Sequence, residues 1–104
     1  MPISGDLYNF SDENIYLAPT DKGVYALYKK SGDVYYTIYI GKAEQEDGIS
    51  GRLIWHKQGN YECTKYAVAY RREVHDNPSS REKELLKEYQ REYGELPGCN
   101  ERIG

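Results

Sequence analysis

Gly23-Val24-Tyr25-Ala26-Leu27-Tyr28-Lys29-Lys30-Ser31-Gly32-Asp33-Val34-Tyr35-Tyr36-Thr37-Ile38-Tyr39-Ile40-Gly41 is the stretch whose reading decides the fold. Two apolar and aromatic runs, Val24 to Tyr28 and Val34 to Ile40, flank the polar break Lys29 to Asp33. β-Branched and aromatic residues suit a pleated, half-buried surface, and Ser-Gly-Asp supplies the positive φ of a tight reversal, so the stretch reads as a β-hairpin. Alternation puts Val24, Ala26 and Tyr28 on one face of the first strand and Gly23, Tyr25 and Leu27 on the other. Both faces carry bulk, which predicts a sheet covered on both sides or one side used for a ligand.

Beyond the hairpin, the polar acidic loop Lys42 to Gly48 leads into Ile49 to Gly59, a short helix with Ser50 as its cap and Gly59 as its end. Arg52 and His56 are four apart and share a face, beside an apolar stripe of Ile49 and Leu53. The same pair also suits an ordinary solvated helix end. Lys65 to Val74 alternates, Tyr66, Val68 and Tyr70 against Ala67, Ala69 and Arg71, and reads as a third strand. Ser79 or Ser80 then caps a helix from about Arg81 to Tyr93 that stops at Gly94. Leu85, Leu86, Tyr89 and Tyr93 fall within about one third of its circumference, with Glu82 near the centre of that stripe. A carboxylate there is costly unless it is paired, hydrogen-bonded or bound to a metal. On a solvated first turn it would merely complement the helix dipole.

Residues 1–22 read as a loosely structured arm whose Leu7, Tyr8, Phe10, Ile15, Tyr16 and Leu17 dock on the domain, with Ser11 to Asn14 capping or forming one helical turn. Residues 23–104 form the domain. The order β-β-α-β-α predicts an α+β fold, a small three-stranded antiparallel sheet flanked by helices.

A chain of 104 residues holds one domain with one modest core. Twelve tyrosines against one phenylalanine and one tryptophan suit a wet binding surface, because a phenol packs its ring and still offers a hydroxyl. The net charge of −3 confines any polyanion site to a local basic patch. Cys63 and Cys99, far apart in sequence, are expected as reduced thiols of a cytoplasmic protein and not as metal ligands. No apolar run approaches the roughly 18 residues of a membrane span, and no secretory leader is evident, so no membrane partner is expected.

Gly23-Val24-Tyr25, Tyr39-Ile40-Gly41-Lys42, Arg52-Leu53 followed by His56, Glu82 followed by Leu85-Leu86, and Pro97 to Asn100 together resemble, in order and type, the GIY-YIG nuclease domain. The family includes homing endonucleases, restriction enzymes, structure-specific nucleases and an incision module of DNA repair. The resemblance implies a divalent-metal-dependent endonuclease that hydrolyses DNA phosphodiester bonds. Tyr25 and Tyr39 would then be the motif tyrosines, one of them orienting or deprotonating the attacking water, with Lys42 or the metal as the cation that makes this feasible. Arg52, with Gly41 and Lys42, would hold the phosphate, and His56 would occupy an accessory position. Glu82 would bind Mg²⁺ or Mn²⁺, Glu88 being the alternative carboxylate, and Asn100 would support the substrate site by hydrogen bonding.

The resemblance also exposes departures. Choosing Glu82 requires an insertion around Tyr89 to Glu95, and the loop Glu44 to Ser50 is longer and more acidic than the pattern. With no DNA-binding domain attached, substrate choice would come from the module itself, a homodimer or a protein partner. The competing expectations are a catalytically weak nucleic-acid-binding module of the same fold and a protein-interaction domain using its tyrosine-rich surface.

Overall fold

In the structure, a computed structural model that describes Ile3 and residues 5–101, the chain runs through β1 (Tyr8–Asn9), α1 (Asp12–Tyr16), β2 (Gly23–Ser31), β3 (Val34–Ala43), α2 (Gly48–Lys57), a 3-10 turn at Glu62–Thr64, β4 (Ala69–Val74) and α3 (Pro78–Tyr93). The outer ends of the expected 1–22 arm and 23–104 domain, at residues 1, 2, 4 and 102–104, lie outside the described residues.

The hairpin forms where its residues dictate. β2 and β3 pair antiparallel from Gly23↔Ala43 to Ser31↔Val34, and Gly32 takes the reversal at φ 60°, a conformation that glycine adopts without a Cβ penalty. A register shift lies between Leu27 and Tyr28: Leu27 faces Tyr39 while Tyr28 faces Thr37, leaving Ile38 as the extra residue of a bulge. The sheet has four strands in the order β1-β4-β2-β3, all antiparallel, which corrects the expected three. The added strand is the two-residue β1, paired through Tyr8↔Tyr70 and Asn9↔Ala69 and too short to show a period.

The two faces of β2 enter different cores, as its alternation predicts. Tyr25 and Leu27 join Ile15, Ile49, Leu53 and Tyr70 beneath α1 and α2, whereas Val24, Ala26 and Tyr28 join Ile40, Leu85 and Leu86 beneath α3. The sheet is therefore covered on both sides. Truncating a fully buried anchor such as Leu53 to Ala removes its transfer energy and leaves a cavity, about 2–5 kcal/mol together.

The arm contributes more than loose docking. Ser11 caps α1 by accepting from the Asn14 backbone N–H at 3.3 Å, and Phe10, Ile15 and Ala18 are buried. Tyr16 and Leu17, expected to dock, are instead 84% and 74% exposed. Ser50 does not cap α2, which begins earlier at Gly48. Its hydroxyl donates to the Ile15 carbonyl at 3.1 Å and ties α2 to α1. The third long strand begins at Ala69, not Lys65, because residues 62–64 close a 3-10 turn first. α3 begins at Pro78 with Asn77 as cap, accepting from the Ser80 N–H at 3.3 Å, and so not with either serine. Proline supplies no N–H and has the helical φ built in, which favours it in the first turn. Gly94 ends α3 at φ 78°, as expected.

Cys63 and Cys99 are joined in a disulfide, which overturns the expectation of reduced thiols. Their sequence separation of 36 hides a spatial neighbourhood: the 3-10 turn and the C-terminal tail converge beside β3. The tail docks on that edge strand. The Cys99 N–H donates to the Ile38 carbonyl at 2.7 Å, and the Asn100 carboxamide both accepts from the Ile40 N–H and donates to the Ile40 carbonyl, each at 2.9 Å.

Candidate active site at the edge of the sheet

Cross-strand pairing dictates where each motif residue points. Tyr25, opposite Gly41, and Leu27, opposite Tyr39, share the face beneath α2. Lys42, opposite Val24, belongs to the face beneath α3. Because β3 is an edge strand, residues from both layers meet around its rim. Tyr39, Lys42, Glu44, Arg52 and Glu82 line one hollow there. A second hollow shares Tyr39 and Glu82 with it and continues past Tyr61 to Asn100.

Tyr25 lies behind this rim. It is 0% exposed, packs against Tyr39 with ring centroids 6.2 Å apart, and has its Oη 2.8 Å from His56 Nε2. His56, also buried, has Nδ1 2.7 Å from the Thr64 hydroxyl, which in turn donates to the Tyr61 carbonyl at 3.2 Å. Burial pushes the Tyr25 phenol well above its ordinary value, the neighbouring Tyr39 adds to the rise, and Arg52 offsets part of it. Burial and then the Arg52 charge push His56 down to about 4, so the imidazole is neutral at pH 7. Tyr39 is raised by burial and by Glu82, with Arg52 opposing.

Gly41 is required by this packing. A Cβ there would lie 2.5 Å from Tyr25 Oη and 2.7 Å from Tyr39 Cε2, so only glycine lets the strand pass the two phenols.

The charged residues of the rim differ in how they are held. Arg52 rests on the Trp55 ring at 4.3 Å and forms no ion pair among the described residues. Lys42, expected as the cation beside the tyrosines, donates to Ser79 at 2.8 Å and pairs with Glu44 at 3.2 Å; Ser79 also donates to Glu44 at 3.1 Å. It is therefore engaged on the α3 side, and the cation whose charge acts on Tyr25 and Tyr39 is Arg52. Glu82 is only 9% exposed, and no hydrogen bond or ion pair engages its carboxylate among the described residues. Burial pushes its pKa up, Lys42 lowers it and Glu44 raises it again. Arg81 sets the first turn of α3 by a two-pronged contact with Glu73, at 2.7 and 3.1 Å, and also pairs with Glu84. Its neighbour Glu82 is thereby turned to the hollow. Glu88 lines a separate groove between α3 and the sheet, with Tyr28 and Tyr89.

A buried, unpartnered carboxylate with Glu44 close by suits a hard divalent cation. Mg²⁺ is ordinarily held by one or two carboxylates, with waters and substrate phosphates completing its shell. No group of three or more His, Cys, Asp or Glu gathers among the described residues, so a cage built wholly of protein ligands is not formed there.

The sequence-predicted residues Tyr39, Lys42, Arg52 and Glu82 thus meet in one hollow, with Gly41, Tyr25 and His56 directly behind it. Asn100 reaches the adjoining hollow, but its carboxamide is engaged by Ile40 and holds the strand that carries Tyr39 and Gly41. Sequence reasoning missed Tyr61, Thr64 and Arg81. The first two sit in a segment without periodicity, and Arg81 was visible only as the neighbour of Glu82. Compared with protein-family models, with curated proteins and with solved structures, the chain matches none of them.

Proposed function

We propose that the chain is a GIY-YIG-type endonuclease that hydrolyses DNA phosphodiester bonds with Mg²⁺ or Mn²⁺ as cofactor. The observation that carries this reading is the Arg52 guanidinium, which has no ion pair among the described residues, lining the same hollow as Tyr39 and the largely buried Glu82 carboxylate. A phosphate oxygen approaching Arg52 meets the Glu82 carboxylate in the same space, while Glu44 there is already paired with Lys42. Like charges oppose that approach unless a cation lies between them.

In this reading Arg52 binds the scissile phosphate and opposes the charge that builds on its oxygens in the transition state. Tyr39, which faces the hollow, orients the attacking water, and Tyr25 and His56 brace it from behind. The water oxygen forms the new bond to phosphorus and releases a proton to solvent, the ester P–O bond breaks, and the departing oxygen takes up a proton from solvent. Glu82, with Glu44 nearby, would hold the metal, which supplies Lewis-acid stabilisation of phosphate charge. The rim extends on both sides of Tyr39 and Glu82, giving room for a strand beyond the cut phosphate. With a net charge of −3, substrate choice falls to local contacts, a protein partner or a homodimer. No helix among the described residues is long and apolar enough to cross a membrane. We keep the cytoplasm as the working compartment, where the Cys63–Cys99 bond would have to withstand a reducing thiol pool.

The test is incubation of the purified protein with labelled duplex, branched and single-stranded DNA in Mg²⁺, Mn²⁺ or chelator. Metal-dependent cleavage of at least one substrate is expected. Salt-dependent binding with no product under any condition would replace this reading with that of a binding module.

A further inference from the structure

The chain Tyr25–His56–Thr64–Tyr61 has a direction, and Thr64 sets it. The Thr64 hydroxyl has one proton and lies 3.2 Å from the Tyr61 carbonyl, which only accepts. Donating there, Thr64 Oγ1 must accept in its 2.7 Å contact with His56 Nδ1, so Nδ1 carries the imidazole proton. A neutral imidazole has one N–H, so Nε2 is then bare and accepts the Tyr25 O–H across 2.8 Å. At the other end Tyr25 is fully buried, with His56 Nε2 2.8 Å from its Oη, the Tyr39 hydroxyl as a second hydrogen-bonding neighbour, and Arg52, which can only donate, close by. A phenol that gives its proton to His56 turns lone pairs toward Arg52. With the opposite tautomer, Nε2–H would drive the phenol proton toward other neighbours and weaken that orientation.

We propose that Thr64 is a positioning residue: by accepting from His56 Nδ1 it fixes the imidazole as the Nδ1–H tautomer, makes Tyr25 a donor to Nε2, and so presents the Tyr25 oxygen to Arg52 as an acceptor. The functional part of this inference rests on the nuclease reading; the tautomer does not. Nothing in the sequence singles out Thr64, which enters only through the 3-10 turn that brings it eight residues on to the ring of His56.

The experiment is long-range ¹H–¹⁵N NMR of the full chain at pH 7 without DNA or metal. There are only two histidines, and a His75→Gln variant assigns the signals of His56. Wild type and Thr64→Ser are expected to show a protonated Nδ1 and a bare Nε2. The isosteric Thr64→Val, which removes the acceptor, is expected to lose that pattern. Cleavage should fall about tenfold in Thr64→Val, the order carried by one supporting hydrogen bond, and recover in Thr64→Ser. A wild-type spectrum with Nε2 protonated overturns the proposal even if the valine variant does not fold, and so does an unchanged tautomer in a folded Thr64→Val. The expected spectra with no DNA cleavage would sustain the tautomer lock and defeat the nuclease reading instead.

Discussion

The two sides of β3 contribute to the rim in opposite ways. On the α2 side, Tyr25, His56, Thr64 and the Tyr61 carbonyl form a closed series in which each donor meets an acceptor inside the fold. On the α3 side, Glu82 is largely buried but lines both hollows, and no hydrogen bond or ion pair engages its carboxylate among the described residues. A satisfied polar chain rigidifies its surroundings, whereas a largely buried carboxylate with no hydrogen-bonded partner carries an unfavourable charge that a cation or a proton relieves. One side is therefore a finished wall and the other an unfinished binding group, and Arg52, carried by α2, lines the hollow with Glu82.

The contrast breaks most visibly at Arg52, which lines the hollow with Glu82. In the proposed nuclease reading, Arg52→Ala is expected to lower DNA cleavage on the order of 10³-fold, because it removes the group assigned to the developing phosphate charge. The circular-dichroism melt should stay cooperative, since Arg52 has no ion pair among the described residues to lose. Cleavage at the wild-type rate would remove Arg52 from the site.

Next in size is the disulfide, which anchors the finished wall to the tail. Cys63–Cys99 closes a loop with a sequence separation of 36, for which chain-entropy reasoning gives about 3–4 kcal/mol. Urea unfolding with and without a dithiol reductant measures it. The same reduction should loosen Asn100 from Ile40, seen as faster hydrogen exchange at the Ile40 amide.

Acid probes the two sides with opposite signs. The His56 pKa is depressed to about 4 in the fold against 6.5 ordinarily, so between these values the unfolded chain binds more protons and stability falls as pH drops. The loss is on the order of 3 kcal/mol by linkage. Glu82, whose pKa is raised, contributes the opposite: stability is gained as pH falls through its titration. Unfolding curves of wild type and His56→Gln from pH 7 to 4 isolate the first effect. Identical slopes would show that the buried neutral histidine is not the acid-sensitive element.

The smallest effect is expected at Lys42, whose contact with Glu44 is substantially exposed. Lys42→Ala should change stability by less than about 1 kcal/mol, while reducing the salt dependence of DNA binding by about one ion.

Legibility from sequence followed the range of the interactions. The hairpin and α3 were readable because periods of two and of 3.6 residues are local, and Glu82 stood out as a charge within an apolar stripe. β1 was not, since two residues carry no period and the strand exists only through its pairing with β4. The disulfide and the docking of Asn100 join segments distant in sequence, and neither leaves a mark on its neighbours. For Lys42, residue type was legible but direction was not: strand parity sends it to the α3 side, and the cation acting on Tyr25 and Tyr39 is Arg52.

Mg²⁺-dependent DNA cleavage by wild type and Glu82→Gln, measured beside the urea stability of both, tests the contrast between the two sides most directly. At pH 7, Glu82→Gln is expected to be at least as stable as wild type, because it removes a charge that burial disfavours, and to cut no DNA at any Mg²⁺ concentration at which wild type cuts. A Glu82→Gln protein that cuts at the wild-type rate, or wild-type cleavage that persists in chelator, would contradict the account.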